Sequence, residues 1–236
     1  MQEILSQIQL REATYQAEDR IQQQMRKHTA VTLLGLLSIQ RVVHAIPELD
    51  DEFATARQFT TRQPRVRESP AAYRFRSGAP KGLKRILDEV RGGKLTGFHV
   101  DTANVVYGSA LDDIEDTPFT LLSVPRTPAA RKQFVNAAWG KQLEYMIVPE
   151  QGEYMQQMRR QLHGASENSK QSRIRENNGK LSWALAQTEA LIWVPYDHTD
   201  PSATTEHIVA IAQGQAEPDP IYRELGLELA ESLKIA

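Results

Sequence analysis

Four short apolar runs constrain the fold of this chain more than any other feature: Val31-Thr32-Leu33-Leu34, Phe119-Thr120-Leu121-Leu122, Glu144-Tyr145-Met146-Ile147-Val148 and Ala190-Leu191-Ile192-Trp193-Val194. Each is too short for a core helix and lacks the strict alternation of a strand with one wet face. Such runs read as strands buried on both faces. Helical periodicity is found over residues 129–142, 150–163, 172–187 and 203–213, so helices separate the last three runs. Buried strands alternating with helices predict an α/β fold, a parallel sheet with helices on its faces.

Length and charge narrow the classes of function. At 236 residues the chain is long enough for one sizeable α/β domain with appendages. A formal net charge of −2 and a pI near 6.3 argue against a broad basic face, so nucleic acid is not an expected partner. There is no cysteine, which removes disulfides, thiolate metal sites and thiol nucleophiles. The six histidines show no paired ligand spacing, so no metal site is expected. The polar start Met1-Gln2-Glu3-Ile4 is unlike a secretory signal, and no apolar run approaches the ~18 residues of a membrane span. The expectation is a cytoplasmic protein without membrane association.

Residues 1–28 contain neither proline nor glycine and predict one glutamine-rich helix. Leu10, Ala13, Ala17, Ile21 and Met25 form its apolar stripe, suited either to packing on the body or to homo-oligomerisation. The block at about 52–110 interrupts the strand–helix rhythm. Rich in arginine, threonine and aromatics, it reads as an inserted lobe with short strands and a helix over 81–90. Residues 215–220 form a linker in which Asp219-Pro220 can start a last helix, with Ile221, Leu225, Leu229 and Leu233 on one face.

The lobe carries the densest chemistry. In Phe59-Thr60-Thr61-Arg62-Gln63-Pro64-Arg65 two guanidinium groups flank a proline; Tyr73 follows, and Val106-Tyr107-Gly108-Ser109 lies further on. Arginine forks bind phosphate bidentately, and a proline between two of them limits their wandering.

The stretch from Phe53 to Arg65, ending T-T-R-Q-P-R, resembles the acceptor-binding segment of guanylate kinases. Tyr107-Gly108-Ser109, with Asn104 before it, resembles that family's second acceptor motif. The likeness covers about residues 27–214, and it implies a guanylate-kinase-like domain over 29–214 with a lid near 161–175. Flanking segments would be 1–28 and 215–236. It further implies that Arg62, Arg65, Tyr73 and Tyr107 hold an acceptor phosphate and that Ser109 lies near the base.

Several positions depart from the family pattern. The donor loop, Gly35-Leu36-Leu37-Ser38-Ile39-Gln40-Arg41-Val42, keeps one glycine and lacks the lysine that a phosphate cradle needs. Gly97 and Ser123 stand where carboxylates that read guanine are expected, leaving Asp101 as a possible base contact. Ala165 stands at a lid arginine, whereas Arg173 matches the second one. A single such arginine is worth about 10³–10⁵ in phosphoryl-transfer rate. The leading expectation is a non-catalytic domain that binds a nucleotide monophosphate, or a phosphorylated or acidic partner segment. The alternatives are a divergent nucleoside monophosphate kinase using ATP and Mg²⁺ with Arg41 and Arg173, and an assembly protein acting through its terminal helices.

Overall fold

A computed structural model describes residues 1–36, 39–66, 73–101, 103–122, 133–134, 136–164, 166–187 and 191–234. Five parallel strands, β1 (Thr29–Gly35), β2 (Phe53–Thr55), β7 (Phe119–Leu122), β8 (Lys141–Pro149) and β9 (Leu191–Tyr196), form one sheet in the order β2-β7-β1-β8-β9. Helices flank it, as the alternation of strands and helices predicts. A second sheet, ordered β4-β3-β6-β5, is built from β3 (Phe59–Thr60), β4 (Arg74–Phe75), β5 (Leu95–Val100) and β6 (Val106–Ala110). The chain divides into two compact units, Met1–Ala30 with Glu52–Gln142, and Val31–Asp51 with Leu143–Ala236.

The first unit contains the small sheet and, among its described residues, the helices α1 (Gln2–Glu12), α2 (Asp19–Met25) and α4 (Pro80–Arg91). Pro80 opens α4, where its missing N–H costs nothing. Leu83, Ile86, Leu87 and Val90 then recur at helical spacing and bury against Leu95, Phe98, Val100 and Val106 of the sheet. Helix α1 adds Leu5 and Ile8 to the same core.

The N-terminal segment is two helices, not the single one its composition suggests. The chain breaks at residues 13–18 because Tyr15 turns inward. Its hydroxyl donates to the Leu95 carbonyl at 2.6 Å and accepts from the Leu95 N–H at 2.8 Å, while its ring meets Phe98 edge-on at 5.0 Å. Beside it the Glu18 N–H donates to the Gly93 carbonyl. Gly93 has φ +66°, and a Cβ there would come within 2.7 Å of the Glu18 nitrogen, so the approach requires glycine. These buried contacts outweigh continuation of the helix. The apolar stripe is accordingly split: Leu10 is 80% exposed, whereas Ile21 and Met25 bury against Ala30, Phe134 and Trp139.

Among its described residues the helix expected over 129–142 is not continuous either, residues 129–132 and 135 lying outside them. Gln133 and Phe134 are helical, residues 136–137 turn, and β8 has begun by Lys141. Gly140 lies against the Arg26 carbonyl, which leaves no room for a Cβ. Gln142 Nε2 donates to the Phe134 and Ala137 carbonyls, each at 3.2 Å.

In the second unit α3 (Gln40–Leu49) packs on α7 (Pro201–Ala212). Asp200 caps α7 by accepting from the Ser202 N–H at 3.1 Å, so the polar run after β9 serves as a strand end and helix start. Helices α5 (Gln151–Gln161) and α6 (Glu167–Leu185) are joined by buried Asn177, whose Nδ2 donates to the Tyr154 hydroxyl at 3.0 Å. The last helix, α8 (Ile221–Lys234), docks on α5, α6 and β9, burying Leu229 and Leu233. At the docking point Gly226 lies against Trp193, and a Cβ there would overlap the indole. No helix among the described residues is long and apolar enough to cross a membrane.

Two outcomes follow from these contacts. Tyr15→Phe keeps the ring but leaves two backbone groups of Leu95 without their partner, and is expected to cost about 1–3 kcal/mol in urea unfolding. Gly226→Ala is expected to cost about 1–3 kcal/mol as α8 is displaced, with a matching change in Trp193 fluorescence.

Candidate functional site

Strand pairing builds the face of the lobe that carries the candidate residues. Strand β3 pairs antiparallel to β6 with Phe59 opposite Gly108 and Thr60 opposite Tyr107. It pairs parallel to β4 with Thr60 beside Phe75. Because side chains alternate across a strand, Thr60, Tyr73, Phe75, Tyr107, Ser109 and His99 share one face, while Phe59, Phe98 and Val106 point into the core.

Arg62 follows β3 directly, and its N–H donates to Thr60 Oγ1 at 3.3 Å. Its guanidinium carbon sits 4.9 Å from the Tyr73 ring centre and 5.6 Å from that of Phe75. Tyr73 in turn meets Tyr107 edge-on, with centroids 6.1 Å apart. Arg62, Tyr73 and Tyr107 are therefore gathered at one place. A cation over a ring is attracted to the ring face, and the guanidinium carries five N–H donors. One of them, Nη1, donates to the Gln63 carbonyl at 3.1 Å. Arg65 is exposed three residues further along the same segment.

The remaining lobe residues have other surroundings. Ser109 is buried, and its hydroxyl lies 2.7 Å from Thr96 Oγ1. Asp101 Oδ1 accepts from the Ala103 and Val105 N–H groups at 2.9 and 2.8 Å, closing the β5–β6 turn in which Asn104 takes φ +61°. The carboxylate thus has a structural task in the turn. Arg41 and Arg173 belong to the second unit. Arg41 is exposed in the first turn of α3, and Arg173 Nη1 pairs with Glu176 Oε2 at 3.1 Å along α6. Residues 37–38 of the donor loop, Ser123 and Ala165 lie outside the described residues.

Sequence reasoning missed Phe75 and His99. Both were detectable only through register: Phe75 lies beside Thr60, and His99 opposite Tyr107. His99 stacks on Tyr107 with centroids 4.8 Å apart and planes 9° apart. Burial lowers its pKa from 6.5 to about 4, against an opposing pull from Asp101. The arginines on the other face have carboxylate partners. Arg74 Nε lies 2.9 Å from Asp113 Oδ1, as an ion pair rather than a well-aligned hydrogen bond, and Arg76 Nη1 lies 2.5 Å from Glu89 Oε2. Burial nevertheless raises the Asp113 pKa, more than its hydrogen bond from Ala110 and its neighbouring arginines lower it.

No protein-family model matches the chain, and no curated protein matches it. Among solved structures it is similar to guanylate kinase from Anaplasma phagocytophilum, with a TM-score of 0.51 over 80% of this chain and 86% of that one. The two share 15% sequence identity, so the likeness is one of fold. The fold is guanylate-kinase-like.

His99 sets an expected pH dependence. Between pH 6.5 and about 4 the unfolded chain binds a proton at this residue that the folded chain does not. Its contribution to stability is intact above pH 6.5 and declines as the pH falls, by on the order of 1–3 kcal/mol after allowance for partial exposure. Urea midpoints at pH 7.0 and 4.5 should show a smaller difference in His99→Gln than in the parent chain.

Proposed function

We propose that the lobe is a binding site for a phosphate group carried by a ligand, and that the protein works by binding rather than by phosphoryl transfer. The observation that carries the reading is the position of Arg62 over the Tyr73 ring, 4.9 Å from its centre, with Tyr107 adjoining Tyr73. An arginine held over aromatic rings loses little freedom when it meets an anion, and its planar fork matches phosphate oxygens. The phenols of Tyr73 and Tyr107 add hydroxyl donors at the same place, and Arg65 supplies a second positive charge from the same segment. Two arginines and two phenols suit a tetrahedral dianion better than a planar carboxylate.

The non-catalytic part of the reading rests on the donor side. Gly35 to Val42 has neither the glycines nor the lysine of a phosphate cradle, and Arg173 is engaged by Glu176.

Thermal unfolding in the presence of inorganic phosphate tests this proposal. A ligand at 100 times its Kd raises stability by about 2.7 kcal/mol. Arg62→Ala is expected to weaken phosphate binding at least tenfold, while Arg85→Ala, which removes an exposed positive charge from α4, leaves it unchanged. Equal binding by both variants would place the anion elsewhere.

A further inference from the structure

The face that carries Tyr107 continues along the sheet, and its far end is closed. Ser109 lies two residues further along β6 on the same side, with Gly97 opposite it. The organic part of a ligand whose phosphate meets Arg62 extends either into solvent or along this face. In the second direction it meets His99 on Tyr107 and then a set of polar atoms already engaged with one another. Ser109 Oγ and Thr96 Oγ1 are 2.7 Å apart, and Thr96 Oγ1 also bonds the Ser109 carbonyl at 3.1 Å.

Gly97 offers no side chain, and the amide of Gln133 occupies the space before it, with Oε1 3.1 Å from where a Cβ would stand. Gln133 is 6% exposed. Its Oε1 accepts from the Phe98 N–H at 2.7 Å and its Nε2 donates to the Glu12 carbonyl at 2.9 Å, so both ends of the amide are used. A pocket adjoins this plug, lined among others by Tyr15, Gln22, Met25, Thr96, Gln133 and Asn136, with a volume of about 90 Å³. A cavity of about 150 Å³ accommodates benzene, and a purine is larger still. A polar ring forced against engaged donors and acceptors would lose its own hydrogen bonds to water without replacement.

We infer that Gln133 is a specificity-determining residue that fills the end of the lobe where a ring attached to the phosphate would be read, so that the site takes alkyl phosphate monoesters and gains nothing from a purine. The inference rests on the phosphate reading above. It assigns the ligand a phosphate on an aliphatic carbon, as in a sugar phosphate or a phosphorylated serine side chain.

The test is calorimetric titration of the whole chain with inorganic phosphate, ribose 5-phosphate, N- and C-blocked phosphoserine, and GMP. GMP is expected to bind within about threefold of ribose 5-phosphate. GMP binding tenfold or more tighter would overturn the inference and leave the phosphate site standing. Failure of all four to bind would remove the phosphate reading, and this one with it. If either ester exceeds the other the inference holds, and the preference identifies a sugar or a protein side chain as the source. In Gln133→Ala the ratio of GMP to ribose 5-phosphate affinity is expected to rise at least fivefold. Gln133→Asn, which keeps an amide of shorter reach, serves if the alanine variant does not fold. An unchanged ratio in a folded variant would deny Gln133 the role.

Discussion

Phe59 lying on Gly108 is the contact on which the lobe depends. A Cβ at residue 108 would stand 2.7 Å from the Phe59 ring and 2.9 Å from the Gly97 carbonyl, so the pairing requires glycine. With Phe59 fixed opposite Gly108, Thr60 falls opposite Tyr107, and the chain leaving β3 carries Arg62 onto Tyr73. A slip of one residue would turn Phe59 out of the core and Thr60 into it. Burial of one phenylalanine thereby sets the position of an arginine three residues later. Arg76, 3.9 Å above Phe59, covers that ring from its own side.

The two faces of the small sheet use arginine differently. Arg74 and Arg76 are paired with Asp113 and Glu89 and serve to close the lobe. Arg62 lies over the rings of Tyr73 and Phe75. A ring beneath a guanidinium limits its orientation, which is the property the proposed anion site uses. At the far end of the same face the polar atoms are already engaged, Ser109 and Thr96 with each other and Gln133 with the Phe98 N–H and the Glu12 carbonyl. Under the proposed function, a phosphate would meet Arg62 at one end of this face, and a ring would meet a filled wall at the other.

The sequence was most legible where burial alone decides structure. Phe119–Leu122 is a strand at the residues its apolar run marks, and Pro80–Arg91 exceeds the expected helix by one residue at each end. Legibility failed where a distant partner overrides local periodicity. Nothing near Tyr15 announces that its hydroxyl will bind Leu95, 80 residues away, yet this contact breaks the first helix. Residues 129–142 have helical spacing, but Gly140 and Gln142 answer to Arg26 and to the turn before them. Within the site, the spacing of Arg62, Tyr73 and Tyr107 was readable as a constellation. The positions of His99, Phe75 and Gln133 depend on strand register and on a hydrogen bond spanning 121 residues, which no local pattern encodes.

The tie between Gln133 and Glu12 also bears on how the protein is made. The first unit uses the first 30 residues and then residues 52–142, so its earliest helices leave the ribosome long before their sheet exists. At about 5–20 residues per second, Leu5, Ile8 and Tyr15 await β5 and β6 for several seconds at least. During that interval these apolar side chains have their core partners unmade. Long-range closure of this kind slows folding. Nascent chains stalled before residue 142 should therefore be the most susceptible to chaperone capture and proteolysis.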